Sequence, residues 1–287
     1  MLETHSNKIA KVKLLMEDFN ILAKFIHSKL GIQMPMSKKN MIESRLKKRL
    51  YRLKLDSYSK YCDFLFSKKG IEQELHYFID VVTTNKTDFF REPYHFTFIV
   101  KEAIPELIKS WGGPDKKKLK VWSSACSRGD EPYTISMVLS DLSEKHLGLD
   151  YSIVATDLSK KIIDIAVRGV YDESIIEPVP YEMRKKYLLQ SKDKKKKIVR
   201  ICPDLRNKIH FRQLNLISRN FGFSHKMDMI FCRNVIIYFD KKTTDDLLLR
   251  LCNQLNKGGF LFMGHSEILD VRSLPLVPVG STVYKKI

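Results

Sequence analysis

No apolar run in this chain approaches the roughly 20 residues that a membrane-crossing helix needs. No direct membrane insertion is therefore expected. Cysteine is sparse and scattered: Cys62, Cys126, Cys202, Cys232 and Cys252 are odd in number and form no C-x-x-C pair. That argues against a simple disulfide framework and gives no zinc-ligand spacing, so reduced, mostly buried thiols are expected. The N-terminal stretch MLETHSNKIAKVKLL lacks the uninterrupted apolar block of a secretory signal. A soluble, cytoplasmic protein is the expectation. No Ser-His-Asp set, Walker loop or metal-ligand cluster stands out either.

Acidic residues are outnumbered, with 33 Asp and Glu against 51 Lys and Arg for a net charge of +18. An excess of this size points to nucleic acid, an anionic membrane or an acidic protein surface as partner. Residues 1–60 hold fourteen Lys/Arg against five Asp/Glu, a difference of +9 and half of the whole excess. The charge is concentrated in an N-terminal module.

What is present is a change of pattern partway along the chain. Residues 1–82 read as helical throughout. DFNILAKFIHSKLGI has apolar residues at helical spacing and ends at Gly31, a suitable helix-stop residue. Ser37 is placed to cap a second helix, SKKNMIESRLKKRLYRL, whose Ile42, Leu46, Leu50 and Leu53 share one stripe. Lys38, Arg45, Lys48, Arg49 and Arg52 fall on the adjoining stripe, which reads as a basic docking face. Helices over SYSKYCDFLFSKK and IEQELHYFIDVV complete the module.

Residues 83–92 break the helical pattern and read as a linker. From residue 93 a helix is followed by alternating strands and helices: LKVWSSA, YSIVATD, MDMIFC and GFLFMGHS are the strands. That alternation predicts an α/β fold with a mostly parallel, Rossmann-like sheet. The alternation lapses over about 180–212, read as a small β insertion around the lysine-rich run 194–197. STVYKKI is a final short strand, antiparallel at or near an edge.

Ligands of such sheets sit at the carboxyl ends of the strands. The loop after the first strand, CSRGDEP, holds one glycine, Gly129, where phosphate and dinucleotide loops hold two or three. Its consecutive acids Asp130 and Glu131 would repel phosphate and favour a cationic, polyhydroxyl ligand; S-adenosylmethionine fits that description. Asp157 ends the second strand, where it either accepts ribose hydroxyls or caps the next helix. Arg128 has no evident partner and is expected to face solvent. Of the histidines, only His265 follows a strand end; the others read as ordinary surface or helix residues.

The segments TTNKTDFFRE, VWSSACSRGDEPYTISM, ATDLS, FRQLNLIS, MDMIFCRNVIIYF and GGFLFMGHSE occur in this order. Together they resemble the chemotaxis-receptor glutamate O-methyltransferases (CheR type), across nearly the whole chain. The resemblance implies an S-adenosylmethionine-dependent enzyme that esterifies glutamate side chains of methyl-accepting chemoreceptors on their cytoplasmic helical bundle, releasing S-adenosylhomocysteine. It implies a small all-α domain at 1–82 with a docking helix near 38–53, a linker at 83–92 contributing to the cofactor site, and a methyltransferase domain at 93–287. Cofactor contacts carry over onto Asn85, Thr87, Arg91, Glu131, Asp157, Asn215, Leu216, Asn234 and Val235. Arg91 and Tyr238 are the positions nearest the transferred methyl. Arg128 and Asp130 depart from the family's usual residues. No nucleic acid partner is expected, and a monomer is the default. The alternatives are an RNA methyltransferase, which would want aromatics among the basic residues where the 38–52 stretch offers only Tyr51, and a non-catalytic S-adenosylmethionine-binding adaptor.

Overall fold

The computed structural model describes residues 12–115, 117–146, 148–193 and 195–287. The N-terminal reading of residues 1–11 and Lys194 of the lysine-rich run lie outside the described residues. The chain forms two compact units, one from residues 1–84 with 238–240, the other from 85–237 with 241–287.

The first unit is helical. In α1 (Met16–Leu30), Phe19, Leu22, Ile26 and Leu30 recur at helical spacing and are buried, and Gly31 ends the helix at φ 71°. Ser37 does not cap α2 (Lys39–Leu53); it lies inside a 3₁₀ turn, Met36–Lys38, that leads into the helix. The next two expected helices are three: α3 (Tyr58–Phe66), α4 (Lys68–Gln73) and α5 (Leu75–Val82). The extra breaks have local causes. Ser67 Oγ accepts the Gly70 N–H at 3.0 Å and starts a new helix. A Cβ at Gly70 would sit 1.7 Å from the Phe64 carbonyl oxygen, so only glycine allows that approach. Residues Tyr238–Asp240 pack with this unit through an antiparallel bridge between Ile32 and Phe239.

The second unit opens with α6 (Tyr94–Phe98), a π turn (Ile99–Ala103) and α7 (Ile104–Trp111), where a single helix was expected. Pro105, in the first turn of α7, has no N–H for the regular ladder, and the π turn accommodates the lost bond. The strands of the main sheet are β1 (Leu119–Ser123), β2 (Tyr151–Asp157), β6 (Ile209–Gln213), β7 (Met227–Cys232), β8 (Leu255–Met263), β9 (Leu276–Gly280) and β10 (Val283–Lys286). Their order is β6-β2-β1-β7-β8-β10-β9. The first five are parallel; β10 runs antiparallel to β8 and carries the edge strand β9. β7 is buried at every position, as a strand covered by helices on both faces must be. The order reverses between β1 and β7, so the carboxyl ends of both strands open onto one crevice.

The β insertion differs from its expected span. Its sheet, β3-β5-β4, takes β3 (Val170–Asp172) from before residue 180, with β4 (Leu188–Gln190) and β5 (Ile198–Ile201). IHFRQ, expected inside the insertion, is β6 and pairs with β2 in the main sheet. Between β1 and β2 runs α8 (Asp130–Lys145), and α9 (Lys160–Arg168) follows β2. All five cysteines are free and buried.

Candidate functional site

The loop between β1 and α8 needs its single glycine. Gly129 has φ 99°, and a Cβ there would meet the Tyr171 hydroxyl at 2.9 Å and Ala166 and Tyr133 at 3.1 Å. Ser127 is left-handed as well, at φ 49°, a conformation that costs a non-glycine residue about 1 kcal/mol or more. The surroundings hold it there. Its N–H donates to Asp157 Oδ2 at 2.9 Å, and its hydroxyl donates to the Asn85 carbonyl at 3.0 Å. Asp157 also takes the Ser159 N–H at 3.0 Å. It does not cap α9; Ser159 does, by accepting the Ile162 N–H at 3.2 Å. Asp157 thus ties the end of β2 to the loop after β1.

The two acids of this loop are each matched by an arginine. Asp130 is fully buried, and Arg128 clasps it with Nε–Oδ1 and Nη2–Oδ2 distances of 2.9 Å. Arg128 Nη2 also donates to the Thr87 carbonyl at 2.9 Å. Arg128 therefore does not face solvent: it neutralises Asp130 and holds the 85–88 segment against the loop. Burial still pushes the Asp130 carboxyl above its usual range, with the Arg128 hydrogen bonds opposing.

Glu131 points the other way. It accepts the Ser123 hydroxyl at 2.6 Å and lies 3.1 Å from Arg233 Nη1. Arg233, whose side chain is 2 % exposed, also reaches Glu92 Oε2 at 3.1 Å, the Arg91 carbonyl, and the face of Phe96. Burial raises the Glu131 carboxyl, with Arg233 opposing. Burial would also raise Glu92, but Arg233 together with the His265 N–H and the Asn234 amide outweighs it and holds Glu92 low. Around Arg91 the backbone is strained: Phe90 and Glu92 are left-handed at φ 53° and 57°. Thr134 Oγ1 accepts the Phe90 N–H at 3.2 Å. Between these two anchored residues Arg91 is half-buried, its Nη1 3.2 Å from the Lys86 carbonyl.

After β7, Asn234 turns left-handed at φ 57°. Glu267 fixes that turn by accepting the N–H groups of Asn234, Val235, Ile236 and Ile237, and also that of Gly264. After β6, the Leu214 N–H donates to the Asp157 carbonyl at 2.9 Å, which sets the following Asn215 and the buried Leu216 beside the end of β2. The loop is backed by Phe221 and Phe223, each 4.8 Å from Trp122, under the guanidinium groups of Arg250 and Arg212.

The structure therefore gathers Asn85, Thr87, Arg91, Glu131, Asp157, Asn215, Leu216, Asn234 and Val235 onto connected segments at the carboxyl ends of β1, β2, β6 and β7. From the sequence, Arg233 and Glu267 follow predicted strand ends but carry no assigned role, and Glu92 is not a candidate, although each lies inside a segment that carried the resemblance. A charged residue beside a strand end was the available signal. His95 was read as ordinary, yet it is 2 % exposed, 3.6 Å from Glu92, and bonded to Thr282 Oγ1 at 3.1 Å.

In the helical unit, Tyr238 gives its carbonyl to the Gln33 N–H at 2.7 Å, and Lys38 Nζ lies 5.2 Å from its ring. The expected basic stripe is divided by packing. Arg49 is not a surface cation: it is buried and bonded through Nε and Nη2 to Glu74, at 2.7 and 2.5 Å. Arg45 Nη1 donates to the Val81 and Thr83 carbonyls at 3.0 Å, closing the end of α5. Lys48 and Arg52 are exposed.

Two family descriptions match the chain: the CheR methyltransferase all-alpha domain over residues 17–83 and the CheR methyltransferase SAM binding domain over 85–284. The chemotaxis protein methyltransferase of Borreliella burgdorferi is 35 % identical over 270 residues, covering 93 % of this chain and 94 % of that protein. Chemotaxis protein methyltransferase 2 of Pseudomonas aeruginosa is 35 % identical over 268 residues, covering 93 % and 92 %. That of Escherichia coli is 32 % identical over 266 residues, covering 93 % and 89 %.

Proposed function

The chain belongs to the CheR methyltransferases, which bind S-adenosylmethionine, and we propose that it methylates glutamate side chains in the cytoplasmic helices of chemoreceptors, acting in the cytoplasm. The observation that carries this reading is the charge of the Glu92–Arg233–Glu131 cluster. Two carboxylates share one buried guanidinium, so the cluster keeps one surplus negative charge. That suits a ligand bearing an ammonium or sulfonium group and disfavours a phosphate.

In this reading Glu131 with Asn234 and Val235 holds the methionine end of the cofactor, Asp157 the ribose, and Asn215 with Leu216 the adenine. Asn85 and Thr87 line the site from the linker, and Arg91 belongs to the methyl end. When bound, S-adenosylmethionine supplies a methyl group activated by a positively charged sulfur. A substrate glutamate has a usual pKa of about 4.3 and is ionised at neutral pH, so the site needs no general base. What the chain contributes is position and exclusion of water, and effective molarity alone can contribute roughly 7–11 kcal/mol. Charge cancels between carboxylate and sulfonium as the bond forms, which a dry pocket favours. Arg91 orients the incoming carboxylate or holds the cofactor; a tight bidentate grip would blunt the nucleophile.

Docking is assigned to the helical unit, with Lys48 and Arg52 steering an acidic receptor bundle. Incubation with methyl-labelled S-adenosylmethionine and receptor cytoplasmic fragments tests the function. Alkali-labile label that disappears when the receptor glutamates are changed to glutamine is expected. Alkali-stable label, or label on RNA, would overturn the substrate assignment.

A further inference from the structure

Arg233 follows a buried strand and yet makes more charged contacts than any other residue of the site. Its guanidinium faces Glu131 from α8 and Glu92 from the linker, both at 3.1 Å, and it also binds the Arg91 carbonyl. Every one of these partners comes from a different segment than Arg233 itself. The planar fork lets one side chain hold two carboxylates and a carbonyl at fixed directions, which an ammonium group cannot reproduce.

We propose that Arg233 is a positioning residue that sets both the spacing and the charge of the Glu92–Glu131 pair, and through that pair the affinity for the positively charged end of the cofactor. The proposal rests on S-adenosylmethionine occupying this crevice. Arg233 does not have to touch the ligand; it acts by keeping Glu131 ionised and in place. The groups that face Glu131 are the Ser123 hydroxyl from β1, Arg233 from the segment after β7, and Glu92 from the linker. The thiols of Cys126 and Cys232 are also close, and burial pushes both up, so they stay neutral. Arg233 is thus the cation that opposes the burial of Glu131. Without it the carboxyl would hold its proton to higher pH and lose its attraction for an ammonium group.

The test is calorimetric binding of S-adenosylhomocysteine, which keeps the ammonium group, to the full chain between pH 6 and pH 9. Thermal denaturation is followed alongside. Arg233→Gln is expected to weaken binding by about 10- to 100-fold, the range for losing a hydrogen bond to a charged group. Its affinity should climb with pH, while that of the unaltered protein stays flat. Arg233→Lys keeps the charge and loses the fork, so it should weaken binding by about tenfold without the new pH dependence. At the low end of this pH range, adding Glu131→Gln to Arg233→Gln should cost little more, because Glu131 already holds its proton there once Arg233 is gone. Parallel, pH-independent losses in the Gln and Lys variants, or unaltered affinity in a folded Gln variant, would overturn the proposal. Should the Gln variant not fold, the Lys variant decides it: unaltered affinity rejects the role. No methylation readout enters this test, so failure to methylate any receptor would count against the substrate assignment and leave this result standing.

Discussion

Glu267 Oε2 accepts the backbone N–H of Asn234 at 2.7 Å, while its Oε1 accepts that of Val235 at 2.8 Å. One carboxylate after β8 thereby fixes the turn after β7 that presents both residues to the site. In Glu267→Gln an amide NH₂ would face backbone N–H groups that now have an acceptor. Roughly 2 kcal/mol or more of stability should be lost, measurable by urea denaturation, with weaker S-adenosylhomocysteine binding. Gly264→Ala makes a second probe of the same turn. A Cβ there would lie 2.5 Å from Asn234 Nδ2 and 2.8 Å from its backbone nitrogen, so binding should fall more than stability. Unaltered binding in the alanine variant would show that the turn tolerates displacement.

Arg49 and Arg52 sit one turn apart on α2 and should respond in opposite ways. Arg49→Ala leaves Glu74 buried without its cation, a loss of roughly 3–5 kcal/mol. Arg52→Glu and Lys48→Glu change exposed side chains and should alter stability by no more than about 0.5 kcal/mol. The exposed pair is instead expected to slow receptor methylation, most at low salt, with cofactor affinity unchanged. If charge reversal there leaves the methylation rate and its salt dependence untouched, docking lies elsewhere.

Arg91→Ala should separate function from stability. The hydrogen bond given by its side chain is the 3.2 Å contact to the Lys86 carbonyl, so denaturation should shift by less than about 1 kcal/mol. Methyl transfer should fall by far more than that shift explains. Near-normal turnover in the folded variant would remove Arg91 from the reaction.

His95 should impose an acid limit. Burial lowers its pKa from 6.5 to about 4, with Arg233 adding to the effect and Glu92 opposing it. The unfolded chain therefore takes up this proton first as pH falls from 6.5, and folding stability is lost down to about 4, where the loss levels off. One group shifted this far accounts for roughly 3 kcal/mol over that window. In His95→Gln the slope of unfolding free energy against pH between 6.5 and 4 should flatten; an identical slope would mean that other groups set the acid limit.

The strands were legible because their information is local. MDMIFC and YSIVATD were read at their observed bounds, since short runs rich in apolar and β-branched residues between polar stretches specify a covered strand. Gly31 was legible as a helix stop for the same reason, as left-handed positions favour glycine, whereas the left-handed turn at Gly129 came only from the structure. β9 was missed because Pro278 and the exposed Val277 and Val279 give it no strand signature, and Pro is compatible with a strand at a sheet edge. The split of the helices at Ser67 needed the close approach at Gly70.

The sequence by itself determined the order of elements, the placement of the crevice and the residue types that surround it. Tertiary structure alone decided which charges are spent internally. On a helical projection Arg49 and Arg52 belong to one basic stripe, and Asp130 and Glu131 form one acidic pair. Folding buries Arg49 against Glu74, 25 residues away, and gives Asp130 to Arg128 and Glu131 to Arg233, the latter 102 residues away. Periodicity is set by neighbours along the chain, but the charge that a residue shows to a ligand is set by whatever the fold brings within about 4 Å of it.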